Sequence, residues 1–165
     1  MIRALILALA LAAATPAAAQ DLQWRYRQSA GHSHLVYGQE GSDVGDIWFQ
    51  CREASGRVIV AFNVERQIGV ELRGTTYYDE AGRPGPWPVR VTVASGANRA
   101  AIAGQAHHDD ARQASFITAD FPMGGPVLAS FTRSGEFTAS AFGETTTAPR
   151  APADLVRRFI EACQP

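Results

Sequence analysis

The four histidines of the chain lie in two short clusters whose residue types could bind a metal ion. His32 and His34 are separated by one serine, and His107 and His108 are followed by two aspartates. Because residues i and i+2 of a strand point to the same face, a strand would present His32 and His34 together. Imidazole and carboxylate groups are ligands for zinc, copper and nickel. The pattern permits a metal-binding protein or a metal-dependent hydrolase that uses all four histidines. The alternative is that each cluster is a polar segment beside a strand end.

Motifs for covalent catalysis are missing from the sequence. No serine stands in a G-x-S-x-G nucleophile elbow, and no glycine cluster continues into the Lys-Ser/Thr of a phosphate loop. Ser33 lies between two histidines, but neighbouring residues of a strand point to opposite faces, so neither imidazole would reach its hydroxyl easily. We therefore assign no catalytic residue and no cofactor, and we expect a non-enzymatic protein.

Aromatic residues near the middle of the chain are candidates for a binding surface. Trp87 lies in a segment rich in glycine and proline, and Tyr77 and Tyr78 precede it. Aromatic side chains are favoured as anchors of protein interfaces, so Trp87, Tyr77 and Tyr78 could bind a partner. The alternative is that Trp87 packs over the end of a sheet. Trp24 and Trp48 are expected to cover the second face of that sheet.

The chain has two cysteines, Cys51 and Cys163. An isolated pair in an oxidising compartment is expected to be bridged. Such a bridge would close a loop that spans most of the chain, and the chain-entropy model values it at about 4–5 kcal/mol. Cys51 is therefore better explained as a disulfide partner than as a nucleophile.

The first nineteen residues have the pattern of a cleavable secretory signal peptide. Arg3 precedes an apolar run, and small residues spaced A-x-A follow it. The run is shorter than the roughly 20 residues that span a bilayer, and no second membrane-spanning stretch is expected. Cleavage would leave a protein that starts at Gln20 and is periplasmic or secreted.

The charge of the predicted mature protein is close to neutral. The whole chain has 15 basic and 16 acidic residues, and removal of Arg3 with the signal gives 14 − 16 = −2. Binding of nucleic acid or of an anionic membrane surface usually needs a strong positive field. We therefore expect no nucleic-acid partner.

The region from residue 20 to residue 165 is predicted to be a single α+β domain with a mostly antiparallel sheet. Apolar and polar residues alternate most clearly in 47–52 and 58–64, which flank a glycine-containing turn and predict a hairpin. Loops are predicted at 82–88 and 143–151. Further strands are predicted at 22–27, 35–37, 70–78, 89–93, 99–106, 115–121 and 136–142.

Two helices are predicted in the last third of the chain. Residues 126–133 begin with a proline, which suits a first helical turn, and end before Ser134 and Gly135. In residues 152–164, apolar side chains recur along one continuous helical face that includes Cys163. A bridge to Cys51, on the apolar face of its strand, would hold this amphipathic helix on the sheet.

Three segments resemble a group of small periplasmic proteins. They read FQCR at 49–52, PVLASFTRSGEFTASAF at 126–142 and LVRRFIEAC at 155–163. With the hairpin and a tryptophan after a turn, they are similar to invasion-associated locus B proteins and to type VI secretion accessory proteins, which end in a short helix, a glycine, a strand and a closing helix. The resemblance implies a non-enzymatic binding or accessory protein of the cell envelope whose partner is another envelope protein.

Overall fold

The computed structural model describes residues 22–39 and 45–165. The predicted signal peptide, residues 1–19, lies outside the described residues. Within them, no helix combines the length and the apolar character needed to cross a membrane.

About half of the described chain forms one antiparallel sheet of nine strands. Their order across the sheet is β1-β2-β3-β4-β9-β8-β7-β10-β11, and β5 and β6 form a separate hairpin. The strands are β1 (Gln23–Ser29), β2 (His32–Gly38), β3 (Gly45–Arg52), β4 (Arg57–Val64), β5 (Glu71–Arg73), β6 (Thr76–Tyr78), β7 (Trp87–Ser95), β8 (Asn98–Asp109), β9 (Ala114–Pro122), β10 (Thr138–Ala141) and β11 (Glu144–Thr147).

Two helices cover one face of the sheet, which we call the inner face. They are α1 (Pro126–Ser134) and α2 (Ala153–Cys163), and each agrees with its predicted range to within one residue at either end. The ring of Phe131 on α1 lies 4.9 Å from that of Phe49, and Phe159 on α2 lies 6.1 Å from the same ring. An α-helical layer on a mostly antiparallel sheet confirms the predicted fold class.

The sheet curls so that its last strand approaches β4. The hydroxyl of Thr146 donates to the backbone carbonyl of Asn63 at 2.7 Å. The carboxylate of Glu144 accepts hydrogen bonds from the backbone N–H groups of Glu65 and Arg66 at 2.6 and 3.1 Å. These hydrogen bonds satisfy backbone groups at the end of β4 that would have no hydrogen-bond partner in a flat sheet.

The predicted disulfide joins Cys51 to Cys163. Their Cα atoms are 5.8 Å apart and 112 residues separate them in sequence. Cys51 lies on β3 and Cys163 on the last turn of α2, and both side chains are buried. The prediction of this bridge, and of a last helix held on the sheet by it, is confirmed.

Three segments differ from their predicted structure. Trp87 and Pro88, predicted at the end of the loop 82–88, are the first residues of β7. Residues 70–78, predicted as one strand, contain the β5–β6 hairpin, because Gly74 at φ +64° permits a reversal of the chain. Residues 143–151, predicted as a loop, contain β11. Its threonines favour a strand, and they pair with β10 across a tight turn at Phe142 and Gly143.

The tryptophans expected on the second face lie on different faces of the sheet. Trp48 is on the outer face, opposite the helices, as expected. Trp24 is on the inner face, 6.3 Å from Phe49 and 6.4 Å from Phe131, so this expectation was wrong. The indole N–H of Trp24 donates to the carbonyl of Pro149 at 2.7 Å, which satisfies its polar atom inside the core.

Candidate functional site

The four histidines do not come together in the fold. His32 and His34 share the outer face of β2, with ring centroids 6.5 Å apart. His107 is on the outer face of β8, and His108, the next residue, points to the inner face. Three strands lie between β2 and β8, so four spacings of about 4.8 Å separate the two clusters by roughly 19 Å. Across residues 22–39 and 45–165, no three His, Cys, Asp or Glu side chains are grouped closely enough to hold a metal ion.

His108 is enclosed by the β5–β6 hairpin. Its side chain is 3% exposed, and the ring of Tyr77 stacks on it with centroids 3.6 Å apart. A Cβ atom on Gly69 would lie 3.1 Å from Nδ1, so the backbone also passes close to the ring. Nε2 is 3.4 Å from a carboxylate oxygen of Asp110 but makes no hydrogen bond to it. That oxygen accepts a hydrogen bond from the Tyr77 hydroxyl. The imidazole is thus a packing element beneath the hairpin.

The three aromatic residues proposed as binding anchors pack against the rest of the chain. Trp87 is 5% exposed, and its indole N–H donates to the carbonyl of Arg83 at 3.0 Å. Trp87 therefore packs over the end of the sheet, which is the alternative to a binding role. Tyr77 covers His108, and the guanidinium of Arg73 lies 4.6 Å above the ring of Tyr78. All three residues hold the β5–β6 hairpin or its following loop in place.

A different group of rings lies on the outer face of the sheet. The ring of Phe116 on β9 is 6.1 Å from that of Trp48 on β3 and 4.6 Å from that of His107 on β8. Phe116 and His107 are nearly parallel, with 9° between their planes. Ile59, beside them on β4, is 40% exposed. We call Trp48, Phe116 and His107 the aromatic surface.

The period of two along each strand places these rings outside the core. Trp48 lies between Ile47 and Phe49, both fully buried on the inner face, and Phe116 is followed by the fully buried Ile117. Because successive side chains point to opposite faces, Trp48 and Phe116 must point outward. Sequence reasoning missed Phe116 and considered His107 only as a metal ligand. The buried apolar residues that alternate along each strand were a usable signal, because the residues between them must point outward.

Two hollows use the rings of Trp48 and Phe116 as a common wall. The first, which we call the Gln105 hollow, has a volume of about 600 Å³ and extends across β9 and β8. The second, the Asn63 hollow, has a volume of about 590 Å³ and is bounded by the loop at 109–112. Both volumes lie in the range of ligand sites.

The groups that line the Gln105 hollow are neutral or paired. The carboxylate of Asp120 is bound by the guanidinium of Arg57 at 2.8 Å. Burial lowers the pKa of His107, which favours its uncharged form at neutral pH. Its Nε2 lies 3.1 Å from the hydroxyl of Thr118, within hydrogen-bonding distance.

The charged groups at the Asn63 hollow are also engaged within the chain. A carboxylate oxygen of Asp46 lies 3.7 Å from the guanidinium of Arg112. The carboxylate of Asp109 accepts the backbone N–H groups of residues 111 and 112 at 3.0 and 3.2 Å. The carboxylate of Asp110 accepts the hydroxyl of Tyr77, which raises the pKa of that phenol.

Asn63 leaves one strong acceptor unused. Its Nδ2 donates to the carbonyl of Gly45 at 3.0 Å. Its Oδ1 is buried, and no hydrogen-bond donor meets it within the described part of the chain. Leaving a buried acceptor unsatisfied costs about 1–3 kcal/mol, and such a group in a folded protein calls for a water, an ion or a ligand.

The outer face can therefore bind by stacking and by uncharged hydrogen bonds. It offers two ring faces, an imidazole held largely neutral, and the amide and hydroxyl groups of Gln105, Asn63 and Thr118. An apolar centre with a polar rim is the usual anatomy of an interface. No protein family, characterised protein or solved structure gave a significant match to this chain.

Proposed function

We propose that this chain is an exported, non-enzymatic binding or accessory protein of the cell envelope, and that it holds another envelope protein on its aromatic surface. One observation carries the proposal. Trp48 and Phe116 lie on the face of the sheet opposite the helices, outside the hydrophobic core, and they form a common wall of two hollows. Aromatic rings of this kind are frequent centres of binding energy.

Two further observations support export. The bridge between Cys51 and Cys163 suits an oxidising compartment such as the periplasm. Residues 1–19 have the sequence pattern of a signal peptide. N-terminal sequencing of protein taken from the periplasm should give Gln20 or a residue next to it, and retention of Met1 would contradict export by cleavage.

The binding function is tested by capture from periplasmic extract. Immobilised protein from residue 20 onward should retain one envelope protein, and Trp48→Ala should lose it. Leu72→Ala is the matched control, because Leu72 is a large apolar residue on the β5–β6 hairpin, 54% exposed and outside the aromatic surface. Equal capture by Trp48→Ala and the unmodified protein would show that the binding surface lies elsewhere.

The metal-binding hypothesis is tested on the same preparation. Zinc and copper are measured after purification without chelators. Stoichiometric metal that is lost in both His32→Ala and His107→Ala would favour a metal-binding protein. Because the two histidine clusters are about four strand spacings apart in one chain, that result would require them to meet in an assembly of chains.

A further inference from the structure

We infer that the Asn63 hollow receives a tyrosine or tryptophan side chain from an uncharged segment of the partner, with the ring against Trp48 and Phe116 and its O–H or N–H donating to Asn63 Oδ1. This inference rests on the proposed function, because it names the group that the partner places on the aromatic surface.

The walls of the hollow fit an aromatic ring. Its volume is about 590 Å³, and Trp48 and Phe116 supply one side. Aromatic side chains pack on one another in offset or tilted arrangements with centroids about 4.5–7 Å apart, and they gain more than their buried area alone provides. The two rings already adopt such a spacing, 6.1 Å at an angle of 34°. A third ring can continue this arrangement into the hollow.

The unused acceptor selects a ring that carries a donor. A phenylalanine or an aliphatic side chain would leave Asn63 Oδ1 without a donor, as it is in the free protein, and so would not recover the cost of an unsatisfied buried acceptor. Tyrosine and tryptophan carry a donor on an otherwise apolar body. Both are also enriched among the residues that dominate binding energy at interfaces.

The charges around the hollow select an uncharged partner segment. Asp46 is paired with Arg112, and the carboxylates of Asp109 and Asp110 accept hydrogen bonds from the chain itself. A basic segment would have to compete with these internal contacts, and an acidic segment would face the carboxylates of Asp109 and Asp110. An uncharged segment meets neither obstacle, so its binding should depend little on salt concentration.

The experiment compares two probes that differ by one hydroxyl group, N-acetyl-L-tyrosinamide and N-acetyl-L-phenylalaninamide. Each is titrated into protein from residue 20 onward at millimolar concentrations, and the indole N–H resonance of Trp48 is followed by NMR. We expect both to shift it, with the tyrosine probe bound about 2–10-fold more tightly, the range that one net hydrogen bond provides. Trp48→Ala should weaken both.

Substitutions at Asn63 and Gln105 test which amide side chain causes the difference in affinity between the two probes. Asn63→Ala should make the two probes equal without weakening the phenylalanine probe. Gln105→Ala, a matched amide-to-alanine change at the other hollow, should preserve the difference. If Asn63→Ala fails to fold, the comparison of the two probes on the unmodified protein still tests whether a donor on the ring increases affinity.

Three results would overturn the inference. Equal affinity for both probes on the unmodified protein would mean that the hydroxyl of the tyrosine probe does not reach Asn63 Oδ1. A preference for the tyrosine probe that survives in a folded Asn63→Ala protein would place the hydroxyl elsewhere. A shift of the Trp48 resonance by maltohexaose and by neither amide would assign the surface to sugars. In each case, capture of an envelope protein that depends on Trp48 would leave the proposed function standing.

Discussion

The imidazole of His108 and the phenol of Tyr77 are stacked, with ring centroids 3.6 Å apart. This pair fixes the β5–β6 hairpin to the inner face of the nine-stranded sheet, and the Tyr77 hydroxyl extends the contact to Asp110. The sequence suggests His108 as a metal ligand and Tyr77 as a binding anchor. In the structure the two side chains instead pack against each other.

Tyr77 should ionise at a higher pH than an ordinary phenol. Its hydroxyl donates to Asp110, which raises its pKa above the ordinary value of 10.0 because ionisation would remove the donor beside a carboxylate. Since the folded pKa is the higher one, the contact contributes its full stability below about pH 10 and loses it as the pH rises through the folded pKa. Ultraviolet titration should show a late-ionising phenol that is absent in Tyr77→Phe and shifted to lower pH in Asp110→Asn. A titration curve whose alkaline end is the same in Asp110→Asn and the unmodified protein would contradict the contact.

Cys163→Ser should destabilise the protein by about 2–5 kcal/mol, the usual cost of losing a native disulfide. α2 is 11 residues long, so it is marginal without tertiary contacts and should open first. Urea unfolding gives the free energy, and hydrogen exchange locates the opening. Cys51→Ser should cost a similar amount, and the double serine variant little more, because each change breaks the same bond. Unchanged exchange in α2 would show that packing alone holds the helix.

Gly135→Ala should cost about 2–4 kcal/mol. The residue has φ +68°, and a Cβ atom would lie 2.4 Å from the carbonyl oxygen of Ala151. The substitution therefore combines left-handed strain with a backbone clash. Gly143→Ala is the matched control, because Gly143 has φ +87° with open space around it, and it should cost only about 1–2 kcal/mol. Equal losses in thermal or urea unfolding would mean that the chain at Ala151 moves aside.

Acid should weaken the fold through His107. Burial lowers its pKa below the ordinary value of 6.5, so the unfolded chain takes up this proton first as the pH falls. The contribution of His107 is complete above pH 6.5 and is lost as the pH falls below 6.5 towards the folded pKa. His107→Gln should flatten the dependence of unfolding free energy on pH in that window, and Gln105→Ala should not. An NMR titration of the folded protein that placed His107 above 6.5 would refute this.

The parts of the fold that sequence predicts well are those with a strong local period. The alternation around Cys51 and the helical face around Cys163 each place a cysteine on an apolar side, which is why the bridge could be inferred. Trp24 was misassigned although its strand carries the right signal. Trp24 and Tyr26 alternate with Arg25 and Arg27, and such alternation places the two rings on the buried face.

The aromatic surface could be predicted only in part, because it is assembled across the sheet. Trp48 and Phe116 are far apart in sequence, and β4 lies between their strands. The order β3-β4-β9-β8 brings Trp48, Phe116 and His107 together, and no local pattern encodes that order. The same holds for the metal hypothesis, which depended on whether β2 and β8 would be neighbours.

On the export that we propose, the bond between Cys51 and Cys163 would also order events during biogenesis. Cys51 would enter the oxidising compartment 112 residues before its partner, and β4 to β11 would all follow it before α2 arrives. Throughout that interval its thiol would be open to any other thiol or oxidant nearby. Early pairing of β3 with β2 and β4 would bury the sulfur, and so would protect it until the correct partner is delivered.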